Sequence, residues 1–162
     1  MIPPLQIRPA SAADIPLILQ LIRELAVYER LAHEVTATEA ALSAQLFPDD
    51  DSAPAAYCVL AFADAQPVGF ALYFFNFSTF LAKPGLYLED LFVRPDYRGS
   101  GYGRALLLHL AAIANARGCG RMEWSVLDWN QPAIDFYQKL GAVPMQDWTI
   151  FRLTGSALTQ YS

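Results

Sequence analysis

The stretch "DLFVRPDYRGSGYGRALLLHL" runs from Asp90 to Leu110 and passes from an apolar, strand-like run through a loop into a helical pattern. Glycines stand at positions 99, 101 and 103, where the helix must begin. Glycine in an ordered segment costs backbone entropy, so the cluster needs a cause: a tight turn, or another group coming very close to the backbone. A helix N-terminus carries unpaired N–H groups and a partial positive charge, and a glycine-rich approach lets an anion, phosphate above all, rest against them. Two nucleotide motifs fail. A P-loop needs Lys and then Ser or Thr after its last glycine, where this chain has Arg104 and Ala105. A dinucleotide fingerprint needs its third glycine one residue beyond Gly103. A tight strand-to-helix turn without any ligand stays open on spacing alone.

The segments around the loop read as alternating elements. Before it, "LYLEDLFV" is a strand; after it, "GRALLLHLAAIANAR" is a helix stopped by Gly118. "LQIRPA" (Leu5 to Ala10) reads as a short strand ended by Pro9. "SAADIPLILQLIRELAVYER" follows as a helix with Leu17, Leu21, Ile22 and Leu25 at helical spacing and Asp14 or Ser11 as cap. "TATEAALSAQLF" opens with Thr36 and Glu39 at capping-box spacing, which predicts a second helix. "AYCVLAFA" and "VGFALYFFNF" flank the turn "DAQP" (Asp64 to Pro67) and form an antiparallel hairpin. "KPG" (Lys83 to Gly85) reads as another turn. Downstream come a strand "RMEWSVL", a helix "NQPAIDFYQKLG" with Pro132 in its first turn and Gly141 at its end, and two strands, "AVPMQ" and "TIFRL". The expected fold is α/β (α+β): one mixed, mostly antiparallel sheet of about seven strands flanked by four helices, in a single domain over residues 1–162.

Composition narrows the class. A chain of 162 residues that is 54% hydrophobic suits one domain with a sizeable core. No apolar run approaches the roughly 18 residues of a membrane span. The opening "MIPPLQIRPASAAD" lacks a leader pattern, so a cytoplasmic location is the default expectation. A formal net charge of −5 argues against a broad nucleic-acid surface, which needs clustered Lys and Arg, and is compatible with a cationic small substrate. Cys58 and Cys119 have no metal-ligand spacing and no paired histidine, and His33 and His109 are isolated. No metal is expected, and the cysteines read as buried thiols.

The pattern Arg98-x-x-Gly101-x-Gly103, preceded by "LFVRPDY", resembles the acyl-CoA pyrophosphate loop of the GNAT N-acetyltransferase superfamily. "IRPASAADIPLILQLI" resembles that family's opening strand and helix, "LYLEDLFV" its fourth strand, and "WNQPAIDFYQKLGA" (Trp129 to Ala142) the segment after its fifth strand. Together these cover nearly the whole chain. Within the superfamily the likeness is greatest to the diamine and polyamine (spermidine/spermine) acetyltransferases and their thialysine-acetylating relatives. The resemblance implies acetyl-CoA as cosubstrate, transfer to a primary amine of a small substrate in a ternary complex, and a homodimer paired through the C-terminal strands and the face carrying the amine site. It leaves two other readings: a protein or peptide N-terminal acetyltransferase, and a CoA-binding regulatory protein without turnover.

Site residues follow from the same likeness. Gly99, Ser100, Gly101, Tyr102, Gly103 and Arg104 would wrap the pyrophosphate, with charge from Arg98. Backbone at Leu91, Phe92 and Val93 would pair with the pantetheine arm like an added strand, and Asn130 would contact the cofactor or cap its own helix, or both. Tyr137 shares a helix face with Ala133, Ile134 and Leu140 and by periodicity reads as a core tyrosine; the resemblance makes it the general acid. Glu89 and Asp90 are unusual inside a strand, and strict alternation points them to opposite faces. Buried unpaired carboxylates are costly, so at least one faces a cleft or a partner such as Arg8, Arg121 or Arg152. The resemblance makes Glu89 the base, with Asp90 and Glu29 on the side of the substrate's distal cation. The polyamine enzymes carry more acidic groups and a tryptophan where "FNFSTFLAKPG" offers Ser78 and Phe80. Asp147 beside Trp148 supplies some of the difference, and the departure speaks against a long polyamine and leaves a shorter diamine, a lysine-like amine or an unrelated amine open.

Overall fold

Asp64 and Ala65 join Tyr57–Ala63 (β2) to Gln66–Ser78 (β3), and both take left-handed backbone with φ of 48° and 62°. Two consecutive positive φ values match the right-handed twist of the flanking strands and close the hairpin tightly. The computed structural model describes residues 4–161; Met1–Pro3, part of the opening read for a leader, and Ser162 lie outside them. Leu5–Pro9 (β1) pairs antiparallel with β2, and Lys83–Val93 (β4) pairs antiparallel with β3. Arg121–Trp124 (β5) pairs parallel with β4, giving the order β1-β2-β3-β4-β5. This parallel pair needs a crossover, which Tyr102–Ala116 (α3) supplies.

The sheet is covered on both faces. Ile15, Ile18, Leu21 and Leu25 of Ile15–Tyr28 (α1) and Leu46 of Glu39–Leu46 (α2) cluster with Cys58, Leu60, Phe70, Leu72 and Phe92. On the other face α3 packs on β3, β4 and β5, burying Leu106, Leu107 and Leu110. The described chain divides into two compact units, one ending at Ser125 and the other starting at Val126. The second unit holds Gln131–Lys139 (α4) and Ser156–Thr159 (α5).

Three local expectations change. The cap of α2 is Thr38, whose hydroxyl accepts Ala41 N–H at 3.2 Å, and not a box at Thr36. "KPG" lies inside β4, where Gly85 pairs with Asn76 and the Asn76 side chain occupies the place a Cβ would take. The turn falls instead at Thr79–Ala82, where Ser78 Oγ accepts Leu81 N–H at 3.3 Å. Finally, the sheet has five strands rather than about seven among the described residues. "AVPMQ" and "TIFRL" form no strand, and Val143, Met145, Ile150 and Phe151 are exposed. A strand exists only with a ladder partner for its N–H and C=O groups, and Pro144 removes one donor outright.

Candidate active site

The centre of β4 breaks register. Leu88 pairs with Tyr73 and Asp90 with Leu72, so β4 carries one extra residue at this step, Glu89. Leu86 and Leu88 therefore face one side with Phe75 and Tyr73, while Asp90 and Phe92 face the other with Leu72 and Phe70. The bulge interrupts simple alternation: it sets Leu88 and Asp90 on opposite faces, where alternation would have put them on one. Asp90 sits on the α1 face. Burial pushes its carboxyl up to about 6, and the charges of Glu89 and Glu29 push the same way. Glu29 caps the C-terminus of α1, and burial raises its own carboxyl too. Asp90 lies near enough to feel the other two carboxylates, and among the described residues no group could hold a metal ion. Two of the arginines considered as structural partners are committed elsewhere, Arg8 to Asp14 and Arg121 to Glu123, each at 2.8 Å.

Beyond the bulge β4 is open on one side. Its pairing with β5 stops at Leu88 and Trp124, so among the described residues Glu89–Val93 has a strand partner only in β3. Leu91, Phe92 and Val93 thus border a free backbone edge of the kind an extended chain can join.

After β4 the chain makes one 3-10 turn, Pro95–Tyr97, and enters the glycine loop. Gly99 and Gly101 have φ of 77° and 83°, a region that side chains rarely adopt, and Gly101 caps α3 with no side-chain bond. These two glycines serve the turn. Gly103 differs: it lies in the first turn of α3, and an added Cβ would meet only Val93 Cγ2 at 3.8 Å and Leu91 Cδ2 at 3.9 Å, ordinary contacts. Neither backbone shape nor packing demands glycine at 103. Ser100 lies in the loop, Tyr102 is buried, and Arg104 follows on α3.

Two arginines seat this loop on α1. Arg94 donates from Nε and Nη2 to the two carboxylate oxygens of Glu24, both at 2.8 Å, and from Nη1 to the Pro67 carbonyl at 2.7 Å. Arg98 donates from Nε to the Val93 carbonyl at 2.9 Å and lays its guanidinium over the Tyr28 ring, 4.2 Å from the centroid, with Phe92 at 5.6 Å. Sequence reading missed both seats. Their signal is a matched spacing of four: Glu24 and Tyr28 on a helix, Arg94 and Arg98 across a single turn.

Phe80 stands at the tip of the β3–β4 hairpin, 99% exposed. It lies roughly 25 Å of strand away from Glu89, so the chain does not bring it to the carboxylates. In the second unit, Asn130 caps α4, its Oδ1 accepting Ala133 N–H at 3.4 Å. Tyr137 lies on the same helix, 5.3 Å ring to ring from Phe136. Asp147 is exposed beside an exposed Trp148. Cys58 is buried in the sheet, and burial pushes its thiol up to about 12.

Residues 20–142 match the model of the acetyltransferase (GNAT) family. A thialysine N-epsilon-acetyltransferase of Bos taurus is 39% identical, over 95% of this chain and 95% of its own. L-ornithine N5-acetyltransferase NATA1 of Arabidopsis thaliana is 35% identical, over 94% of this chain and 86% of its own. Among solved structures, an integron cassette protein of V. cholerae is 25% identical with a TM-score of 0.78, covering 97% of this chain and 96% of that one. An aminoglycoside acetyltransferase from a soil metagenome, 19% identical over 94% of this chain and 97% of that one, shares the fold with a TM-score of 0.77. The bulged fourth strand, the open edge beyond it and the glycine-led helix thus stand in a chain that belongs to the GNAT family of N-acetyltransferases.

Proposed function

We propose that the protein transfers the acetyl group of acetyl-CoA to a primary amine of a small cationic substrate, a short diamine or lysine-like molecule, directly within a ternary complex. The observation that carries this reading is the bulge at Glu89, which gathers carboxylates at the point where β4 loses its second strand partner. The names of the relatives, which act on thialysine and L-ornithine, support an amine beside a second charged group.

The residues fit acetyl-CoA. Gly103 is bare for no reason internal to the fold, which suits close approach of a pyrophosphate to the N–H groups opening α3. Gly99–Arg104 hold the phosphates in this reading, Leu91, Phe92 and Val93 hold the extended arm along the open edge, and Asn130 is a further cofactor contact. Acetyl-CoA supplies the acetyl group as a thioester. Glu89 takes the proton from the substrate ammonium, through water, and Asp90 and Glu29 hold the distal cation, where two raised carboxylates gain from a cation's arrival. Tyr137 donates its phenolic proton to the departing sulfur. Cys58, its thiolate suppressed, is a poor acetyl carrier, which favours direct transfer.

The whole chain acts in this reading as one cytoplasmic domain and as a homodimer. Phe77, Phe80 and Leu81 on the hairpin, and Ile150 and Phe151 near the C-terminus, are exposed apolar groups that a second copy would cover. Phe80, remote from the carboxylates of its own chain, then serves the amine side of the second copy, and Asp147 is a further contact to the amine. The test is a panel of diamines, lysine-like amines, long polyamines and N-terminal peptides with acetyl-CoA, following free CoA. Turnover confined to peptides, or none at all, would overturn the assignment.

A further inference from the structure

Glu24 and Tyr28 lie one turn apart on α1, and Arg94 and Arg98 lie one turn apart around the Pro95–Tyr97 turn, so the two pairs meet as two rungs. The first rung is a bidentate ion pair, reinforced by the Pro67 carbonyl and by Arg94 N–H donating to the Val68 carbonyl at 2.9 Å. It fixes where the chain leaves β4. The second rung stands at the mouth of the glycine loop. The residue after Arg98 is Gly99, and Gly101 two further on also has left-handed backbone, so of loop residues 99–101 only the half-buried Ser100 carries a side chain. Arg98 is the last side chain before the glycines, and Tyr102, buried at the start of α3, is the first large one after them. Its Nε–H is held by Val93 and its face by Tyr28.

We infer that Arg98 is a positioning residue that holds the anion-binding loop in shape through its planar stacking on Tyr28 and its bond to Val93, with Arg94 on Glu24 as the fixed rung beneath it. This rests on the reading that Gly99–Gly103 holds the acyl donor's pyrophosphate. A purely electrostatic role for Arg98 requires only a positive charge near the phosphates. A positioning role requires the plane, the Nε–H and the ring beneath. Lysine keeps the charge and loses the planar fork, so the two roles separate at that substitution. They separate again at Tyr28, which carries no charge to offer a phosphate.

The experiment measures acetyl-CoA affinity and the KM and kcat of the wild type and of Arg98→Lys, Arg98→Met, Tyr28→Leu, Tyr28→Phe and the Arg98→Met/Tyr28→Leu double variant. Melting without ligand is recorded for each, and S-acetyl-pantetheine, which has no pyrophosphate, serves as second donor. Loss of one stacked contact and one hydrogen bond corresponds to about tenfold in affinity. Expected are a rise of about tenfold in acetyl-CoA KM for Arg98→Lys, Arg98→Met and Tyr28→Leu with kcat little changed, and a double variant no worse than either single one. Tyr28→Phe, which keeps the ring, stays near wild type, and with S-acetyl-pantetheine all variants match wild type. If Arg98→Lys and Tyr28→Leu keep wild-type affinity for acetyl-CoA while Arg98→Met loses it, the positioning role is overturned and the charge alone acts. Additive losses in the double variant, or equal losses with S-acetyl-pantetheine, also overturn it. A wild type that does not bind acetyl-CoA at all overturns the pyrophosphate-loop reading beneath it.

Discussion

Glu89 and Asp90 are consecutive on β4, yet across the ladder only Asp90 has a partner, Leu72. The extra residue moves Asp90 to the face opposite Leu88, where simple alternation would have set the two together. Glu89 stands outside the pairing with β3, at the level where β5 has already ended, and so borders the free edge of β4.

Glu89→Gln removes a base without altering size. Turnover is expected to fall about 10²- to 10³-fold near neutral pH, within the range for general acid–base catalysis. The defect should shrink as pH rises, because a larger share of the amine then arrives already deprotonated. A pH profile of kcat/KM for both enzymes checks this; a constant ratio across pH would remove Glu89 from proton transfer.

The bulge was beyond sequence reading, since one inserted residue changes register without changing composition or pattern. The hairpins and the glycine-led helix were legible because each is specified locally, by turn residues, by period and by apolar spacing. The segments "AVPMQ" and "TIFRL" misled because strand propensity is local while strand formation needs a partner. "KPG" misled for the opposite reason: Pro and Gly usually punctuate, but Gly85 is glycine to admit the Asn76 side chain within a continuous strand. The carboxylates and the loop could be named in advance, whereas the Arg94–Glu24 and Arg98–Tyr28 seats depend on tertiary approach.

Asp90 makes stability depend on pH. An unfolded aspartate titrates near 3.9, and the folded one at about 6, so between those values the folded state binds more protons. Stability must then fall as pH rises through that window, by at most about 3 kcal/mol from this group. Asp14, held low by Arg8, and Glu24, held low by Arg94, act in the reverse sense: their contribution is present above ordinary carboxylate values and lost as acid protonates them. Denaturant unfolding at pH 4.5 and 7.5 checks the sum. Asp90→Asn should flatten the dependence between these values and be the more stable protein at 7.5. If the wild type gains stability on going from 4.5 to 7.5 and Asp90→Asn gains as much, Asp90 is not strained in the fold.

Gly103→Val tests whether the bare first turn of α3 exists for a ligand. Valine brings its Cβ to ordinary contacts with Val93 and Leu91, and replaces glycine inside a helix, where glycine is the weaker former by a few tenths of a kcal/mol. The free protein should therefore melt within a few degrees of wild type. Wild type at 100 times its Kd for acetyl-CoA gains about 2.7 kcal/mol, and the variant should lose most of that gain. An undiminished ligand-induced shift in Gly103→Val would mean that no phosphate approaches this turn.

Tyr137→Phe addresses the second unit by itself. The phenol lies on α4, a helix fixed at its start by the Asn130 cap and Pro132 in its first turn, so the substitution keeps ring and helix and removes only the hydroxyl. If that hydroxyl protonates the departing sulfur, kcat should fall about 10²- to 10⁴-fold while acetyl-CoA affinity changes little, since the proton matters only as the bond to sulfur breaks. A hydroxyl that merely completes a hydrogen bond would cost about 1 kcal/mol of stability and leave turnover near normal. A donor whose thiol is more acidic leaves with less help, so the defect should narrow with an acetyl thioester of that kind. Steady-state rates for both donors, with melting curves for both proteins, separate the outcomes. Wild-type turnover with acetyl-CoA and a good amine would take the general-acid role away from Tyr137, and an equal defect with both donors would move its contribution from proton donation to orientation.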